Sequence, residues 1–343
     1  MPISLEALLR LKPEQALLRV RNASRVPEAV CRGLGDHVFS LRFKDPDMME
    51  RWGRVADAAA EKTVDLFAAG LARAHFGNAL RVRGDHQGAL AAFNRAEELF
   101  PSAHPLVHEF RASLLMGCGD HKGAISELRK AEDLRSSRGD RVGLAKVLIQ
   151  VGMVYDFLRQ PGDAARMLEE AIKILVDCGA GAREFLLVAL LNLVDCLISD
   201  GQLGRARLLL NEIDQPLAAS GRNAELRLIW LRGRLESYSG ADEEARRFYE
   251  AARAGYRELG MRREVALITL HIAAQHHQYC RYATCVREAL KVKAELEALG
   301  LDENVQVTDL LGQIATRSVD LEQAIWTLTS VIAASRQKRS AGT

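Results

Sequence analysis

Apolar residues recur along this chain at spacings of three and four, which is the period of an amphipathic helix. The clearest block runs from Gly77 to Pro101, and the pair Gly84-Asp85 divides it into two helical stretches. Glycine accepts the left-handed conformation that ends a helix, and aspartate caps the start of the next one. The block therefore predicts two antiparallel helices joined by a tight turn.

Small residues stand at fixed places in this block. Two helices approach closely only where side chains are small, and large side chains fill the space beside them. Gly77, Ala89 and Ala96 are the small residues, and Leu80 and Phe93 are the large ones. The pattern predicts close contact between the two helices of the pair.

The same pattern recurs six more times downstream. A convenient marker is the small residue in each second helix: Ala89, Ala124, Ala164, Ala206, Ala245, Cys285 and Ala324. The first step between markers is the shortest, and the later steps are all close to one length, at about 40 residues. One further step of that length back from Ala89 reaches Met49, around which we interpret a degenerate additional pair. The regular register predicts a repeat protein.

This repeat resembles the tetratricopeptide repeat (TPR), in which each unit is a pair of antiparallel helices. Gly77, Ala89 and Ala96 match the small positions of that family, and Pro101 matches the proline that often closes the unit. The steps are mostly longer than the usual TPR unit of about 34 residues. In this respect the chain resembles the long-repeat TPR proteins of bacteria, which act as scaffolds and regulators. The resemblance implies an all-α, right-handed superhelical solenoid of helix pairs with a concave inner surface.

The predicted domain organisation follows from this register. Residues 1–27 form N-terminal capping helices, with Pro13 and Pro27 as starts or breaks. Residues 28–337 form a solenoid of about eight hairpins, the first of them degenerate, and residues 338–343 form a disordered tail. Since no linker rich in Ser, Pro or Gly divides the chain, we expect one solenoid and not two globular domains.

Composition narrows the classes of protein that remain. Apolar residues make up 48% of the 343 positions, which excludes a disordered chain, and an aromatic content of 6% with 8 prolines argues against a β-sandwich. With 47 basic and 45 acidic residues, the chain lacks the basic excess of a nucleic-acid-binding protein. No apolar run approaches the ~20 residues of a membrane span. The start of the sequence shows no signal peptide, so we expect a cytoplasmic protein, monomeric or homodimeric.

The residues that could carry chemistry are scattered. No nucleophile elbow or zinc-protease motif occurs, so we expect no enzyme activity and no cofactor. His276 and Cys280 are spaced so that they could share a helix face that binds zinc. Because the nearby Cys285 takes a small buried repeat position, packing is the preferred interpretation, and no metal site is predicted.

In TPR solenoids the first helix of each pair lines the concave groove, and the resemblance implies candidate partner-binding residues there. These are Lys146, Met153, Asp156, Asp195, Arg227, Trp230, Arg234, Tyr238 and His277. Trp230, Arg234 and Tyr238 follow one another at intervals of four and form one stripe along a helix. Such residues are enriched at binding hot spots, although ordinary packing between repeats accounts equally well for this stripe.

The sequence therefore favours a non-enzymatic TPR scaffold or regulator that binds a protein or peptide segment in its groove, between the third and sixth pairs. One alternative is a sensor of a peptide signal that changes superhelical shape to release an effector. The other is an architectural protein that assembles with itself.

Overall fold

The computed structural model describes residues 3–41, 46–217 and 221–278, together with positions 284, 287, 288, 291 and 292. Every regular element in these ranges is helical. Several predicted features lie outside the described residues: Cys280, Cys285, the seventh helix pair and the tail at 338–343. His277 lies in a described helix, but its side chain is outside the described part.

The chain divides into two compact units, with the boundary between Gly139 and Asp140. Unit 1 contains α1 (Leu5–Leu9), α2 (Pro13–Arg21), α3 (Glu28–Ser40), α4 (Pro46–Ala60), α5 (Leu66–Arg83), α6 (His86–Leu99), α7 (Pro105–Gly117) and α8 (His121–Ser137). Unit 2 contains α9 (Arg141–Phe157), α10 (Pro161–Cys178), α11 (Arg183–Ser199), α12 (Leu203–Leu217), α13 (Arg222–Tyr238), α14 (Asp242–Glu258) and α15 (Arg262–Gln278). A short 3₁₀ turn, Gly179–Ala182, precedes α11. A single solenoid over residues 28–337 stays a prediction.

Within each unit, helices adjacent in sequence pack as pairs. The pairs are α5 with α6 and α7 with α8 in unit 1, and α9 with α10, α11 with α12 and α13 with α14 in unit 2. First helices also contact the first helices of neighbouring pairs, since α11 touches both α9 and α13, and α13 touches α15. The all-helical architecture of paired helices predicted from the sequence is confirmed.

The turns follow the predicted chemistry. Gly84 has a φ of 89°, in the left-handed region, where it ends α5. The Asp85 side chain then caps α6, because its Oδ1 accepts a hydrogen bond from the Gly88 amide at 2.8 Å. Asp120 repeats this cap for α8, with its Oδ1 2.8 Å from the Gly123 amide. The polar turns seen in the sequence therefore fix where α6 and α8 begin.

The small residues sit where helices come closest. A Cβ atom added to Gly77 would lie 2.6 Å from the Phe93 ring. The same contact recurs in unit 2, where a Cβ at Gly233 would lie 2.8 Å from the Tyr249 ring. In both pairs the large residue follows the glycine at the same interval in the sequence. The spacing of small and large residues in the repeat thus corresponds to a close contact between the first and second helix of these two pairs.

Unit 1 also buries a histidine among aromatic rings. His75 on α5 lies 5.6 Å from the rings of both Phe39 and Phe110, between centroids. Burial, with a smaller effect of the charge on His104, lowers the pKa of His75 to about 4. The imidazole is therefore neutral in the folded protein at pH 7.

None of the described helices is both long enough and apolar enough to cross a bilayer.

The contact of Gly77 with Phe93 predicts a sensitive position. Gly77→Ala should lower the free energy of unfolding, because overpacking costs about 1–3 kcal/mol and outweighs the higher helix propensity of alanine. Gly162 on α10 is the matched control, since a Cβ there meets no atom within 4 Å. Gly162→Ala should be neutral or mildly stabilising. Equal urea midpoints for the two variants would contradict the close-packing argument.

Burial of neutral His75 predicts acid sensitivity. Its pKa in the folded chain lies below the unfolded value of about 6.5, so the unfolded chain takes up a proton first as the pH falls. Stability should be constant with respect to His75 above pH 7 and fall by about 2 kcal/mol from pH 6.5 to pH 5. Urea denaturation of the wild type and of His75→Leu at pH 7.5 and pH 5 tests this. The variant should lose less stability on acidification, and an equal loss in both proteins would count against it.

Candidate functional site

The first helices of unit 2 carry charged residues at equivalent positions. Asp156 on α9, Asp195 on α11 and Arg234 on α13 are equally spaced in the sequence, one repeat length apart. Since α11 contacts both α9 and α13, these positions lie on neighbouring helices. We name the four residues Asp156, Asp195, Arg227 and Arg234 the charged ladder.

Asp195 bridges the two arginines of the ladder. Its Oδ2 lies 2.8 Å from Nη2 of Arg227, and its Oδ1 pairs with Nη1 of Arg234. Arg234 also donates from Nη2 to Ser199 Oγ at 3.1 Å. One carboxylate on α11 therefore holds two guanidinium groups on α13, and Arg227 keeps 31% of its side chain exposed.

Trp230 is packed inside unit 2. Its side chain is buried, with 6% of the residue exposed, and its ring centroid lies 6.4 Å from that of Tyr256 on α14 and 5.8 Å from that of His271 on α15. The guanidinium of Arg227 lies 5.0 Å from the centroid of the indole. The indole thus supports Arg227 from inside the unit, while its Nε1 has no hydrogen-bond partner among the described residues.

The other predicted partner-binding residues lie nearer the surface. Tyr238 is 46% exposed, with the Arg234 guanidinium 5.9 Å from its ring centroid. Met153 and Asp156 are exposed on α9. Lys146 Nζ lies 3.9 Å from the centroid of the Phe185 ring, which joins α9 to α11 through a cation–π contact. Whether these residues bind a partner stays a prediction.

Burial acts unfavourably on the charges of the ladder. Partial desolvation by the neighbouring helices raises the pKa of the Asp156 carboxyl, although the residue is exposed at the surface and Arg234 and Arg227 oppose the effect. Desolvation also lowers the pKa of Arg227, and this outweighs the acidic neighbours that act in the other direction, including Asp156 and Glu264. Burial and the two arginines lower the pKa of His271 to about 3, so its ring is neutral. The guanidinium of Arg227, which stays protonated, is therefore partly desolvated beside a neutral imidazole.

A cavity of about 680 Å³ opens beside the ladder, between the N-terminal halves of α11 and α13 and the start of α15. Its polar lining consists of Arg183, Glu184, Asn192, Asn223, Arg227 and Glu264. Its apolar lining includes Leu187, Val188, Leu191 and Tyr256. The volume of this cavity lies in the range of ligand-binding sites, and half of its lining residues are polar.

Of the residues that line this cavity, only Arg227 is among the candidate partner-binding residues listed from the sequence. A signal for the rest was present, because Val188 stands one repeat length before Arg227 and so occupies the equivalent position on the preceding first helix.

The described residues contain no group of three or more His, Cys, Asp or Glu side chains that could hold a metal ion. His276 is buried on α15. Its proposed companion Cys280 lies outside the described part of the chain.

No known protein family matches this sequence, and no curated protein matches it. Solved structures do resemble it. A Rap protein complexed with competence and sporulation factor matches with a TM-score of 0.64 at 13% identity, covering 89% of this chain and 89% of that one. Aspartyl phosphate phosphatase F from Bacillus subtilis matches with a TM-score of 0.61 at 15% identity, covering 85% of this chain and 73% of that one.

A tetratricopeptide repeat protein from Parabacteroides merdae matches with a TM-score of 0.55 at 14% identity, covering 83% of this chain and 98% of that one. At such low identity, these similarities concern the fold. The prediction of a TPR-like architecture is confirmed, and the chain has the fold of a TPR-like helical solenoid that resembles the long-repeat TPR regulators of bacteria.

Proposed function

We propose that this chain is a non-enzymatic regulator that binds a peptide along the first helices of unit 2. The observation that carries the proposal is the cavity of about 680 Å³ between α11, α13 and α15, which borders the charged ladder. The peptide is either free or an exposed segment of a protein partner. The proposed regulator acts in the cytoplasm and does not bind nucleic acid.

The cavity lining suits a peptide. The side-chain amides of Asn192 and Asn223 each offer both a donor and an acceptor, as a peptide main chain does. Leucine and valine side chains between them provide apolar contact for the side chains of a ligand. Charged groups of both signs are present, so the ends or polar side chains of a peptide find partners here.

The comparisons support a binding role of this kind. The similar Rap structure contains a Rap protein complexed with competence and sporulation factor. A TPR-like architecture also presents first helices side by side, which produces an extended binding surface. The proposed ligand of this chain lies on such a surface, formed by α9, α11, α13 and α15.

A sensor is the second candidate function, and the Asp195 bridge favours it. Asp195 on α11 holds Arg227 and Arg234 on α13, so a ligand that competes for either arginine changes the contact between two first helices. A sensor differs from a static scaffold in that ligand binding alters the packing of the helices. No feature of the described residues favours self-assembly over these two functions.

The absence of enzyme activity is part of the proposal and has its own test. One similar structure is an aspartyl phosphate phosphatase, so an acyl phosphate is the most informative substrate for this test. Acetyl phosphate should be hydrolysed no faster with the purified chain than in buffer, as followed by phosphate release. A rate that rises in proportion to protein concentration would overturn this part of the proposal.

Filling the cavity should abolish peptide binding. Val188→Trp places a large side chain at the cavity wall and should reduce the retention of random hexapeptides on the immobilised chain by about tenfold or more. Leu208→Trp is the matched control, because Leu208 is 67% exposed on the second helix α12 and does not line the cavity. Mass spectrometry of the retained peptides gives the readout.

Both variants should keep the wild-type melting midpoint, since each changes an exposed apolar residue. If Val188→Trp retains peptides as the wild type does, or if Leu208→Trp loses them to the same extent, the cavity is not the binding site.

A further inference from the structure

Two buried donors on α13 have no hydrogen-bond acceptor among the described residues. Arg227 and Arg234 share the single carboxylate of Asp195. Trp230 lies between them in sequence, and its buried Nε1 has no hydrogen-bond partner among the described residues. Nε of Arg234 is likewise buried without an acceptor among them. Buried donors are nearly always paired in native proteins, so these two donors are exceptions among the described residues.

Arg227 is the member of this group that a ligand can reach. It lines the cavity and retains an exposed portion, whereas the Trp230 indole is buried behind it. Its position is fixed by two contacts, the ion pair with Asp195 at 2.8 Å and the stacking on Trp230 at 5.0 Å. A guanidinium held in this way is preorganised, so a ligand binds it with little further loss of conformational entropy.

Desolvation of the guanidinium also favours an added anion at Arg227. Asp195, Asp156 and Glu264 lie near Arg227, yet the net effect of its surroundings is to lower its pKa. Burial therefore disfavours the cation more than these neighbours favour it. An acceptor-only group of negative charge that reaches the exposed part of Arg227 would offset this desolvation.

We propose that the ligand of this cavity carries a carboxylate group, which binds the guanidinium of Arg227 at the cavity wall. This inference rests on the proposed function and adds the chemistry by which the ligand is recognised. Arginine and carboxylate form paired, charge-assisted hydrogen bonds, which are stronger than those between neutral groups. The carboxylate comes either from the C-terminus of a peptide or from an acidic side chain.

The position of the other charged residues orients the ligand. Glu184 and Glu264 also line the cavity and repel a carboxylate, whereas Arg183 and Arg227 are the two cationic residues of the lining. The uncharged residues Asn192 and Asn223 also line the cavity. The rest of the ligand therefore carries uncharged or donor groups where it passes the two glutamates.

Three pools of random hexapeptides test the proposal on the full chain. All are acetylated at the N-terminus and built from uncharged residues. The first pool has a free C-terminal carboxylate, the second has a C-terminal amide, and the third has the amide but carries one Asp or Glu. Retention of each pool on the immobilised wild type is measured by mass spectrometry.

We expect the first or the third pool, or both, to be retained about tenfold more than the second. Retention of the first alone identifies the C-terminal carboxylate, and retention of the third alone identifies an acidic side chain. Equal retention of all three pools overturns the carboxylate proposal and leaves peptide binding intact. If no pool is retained, the proposed function fails together with this inference.

Variants locate the contact. Arg227→Gln should abolish the difference between pools, and Arg227→Lys should reduce it severalfold, because lysine keeps the charge but loses the planar fork. The matched control is Arg205→Gln, since Arg205 pairs with Glu169 at 2.7 Å on second helices away from the cavity. It should behave as the wild type. A difference that survives Arg227→Gln in a folded variant excludes Arg227 as the anchor, and should that variant fail to fold, the wild-type pools and Arg227→Lys decide.

Discussion

Close contact between a small residue on a first helix and a large residue on its partner determines much of this structure. At Gly77 and Gly233 even one added Cβ would press on the ring that faces it, Phe93 or Tyr249. Such a contact leaves little freedom for one helix to slide or rotate against the other, because interiors pack at crystal-like density. The packing of α5 on α6 and of α13 on α14 is thereby set within each pair.

The candidate site depends on this repetition. Residues separated by one repeat length occupy equivalent positions on successive first helices, as Asp156, Asp195 and Arg234 do. A carboxylate on α11 can then meet arginines on α13 without any special loop or insertion. Rigid helix pairs also hold such side chains in place more precisely than loops would. The repeat therefore aligns the positions of the charged ladder on successive first helices. The residue type at each of these positions then determines the charge that it carries.

The sequence predicted the features that depend on local rules. Gly84 and Asp85 could be assigned to a turn and a cap from residue type alone, and Gly77 could be placed opposite Phe93 from the repeat register. The face occupied by Trp230 could not be predicted in this way, because the residues that bury it, Tyr256 and His271, belong to other helices. The cavity escaped prediction for the same reason, since it is formed by three helices distant in sequence.

Trp230 is buried and Arg227 is accessible, so the two residues have different roles. From the sequence alone, both were candidates for direct contact with a partner. An indole behind a guanidinium restricts its motion and excludes water from one of its faces, which strengthens any charged contact made on the other face. Asp195 adds a second restraint but satisfies only part of the hydrogen-bonding capacity of the two arginines. If every donor of Arg227 were already paired, the residue could not bind a ligand. If its side chain were not restrained, ligand binding would cost conformational entropy. Partial compensation on a fixed support is the arrangement that leaves Arg227 both well placed and chemically available.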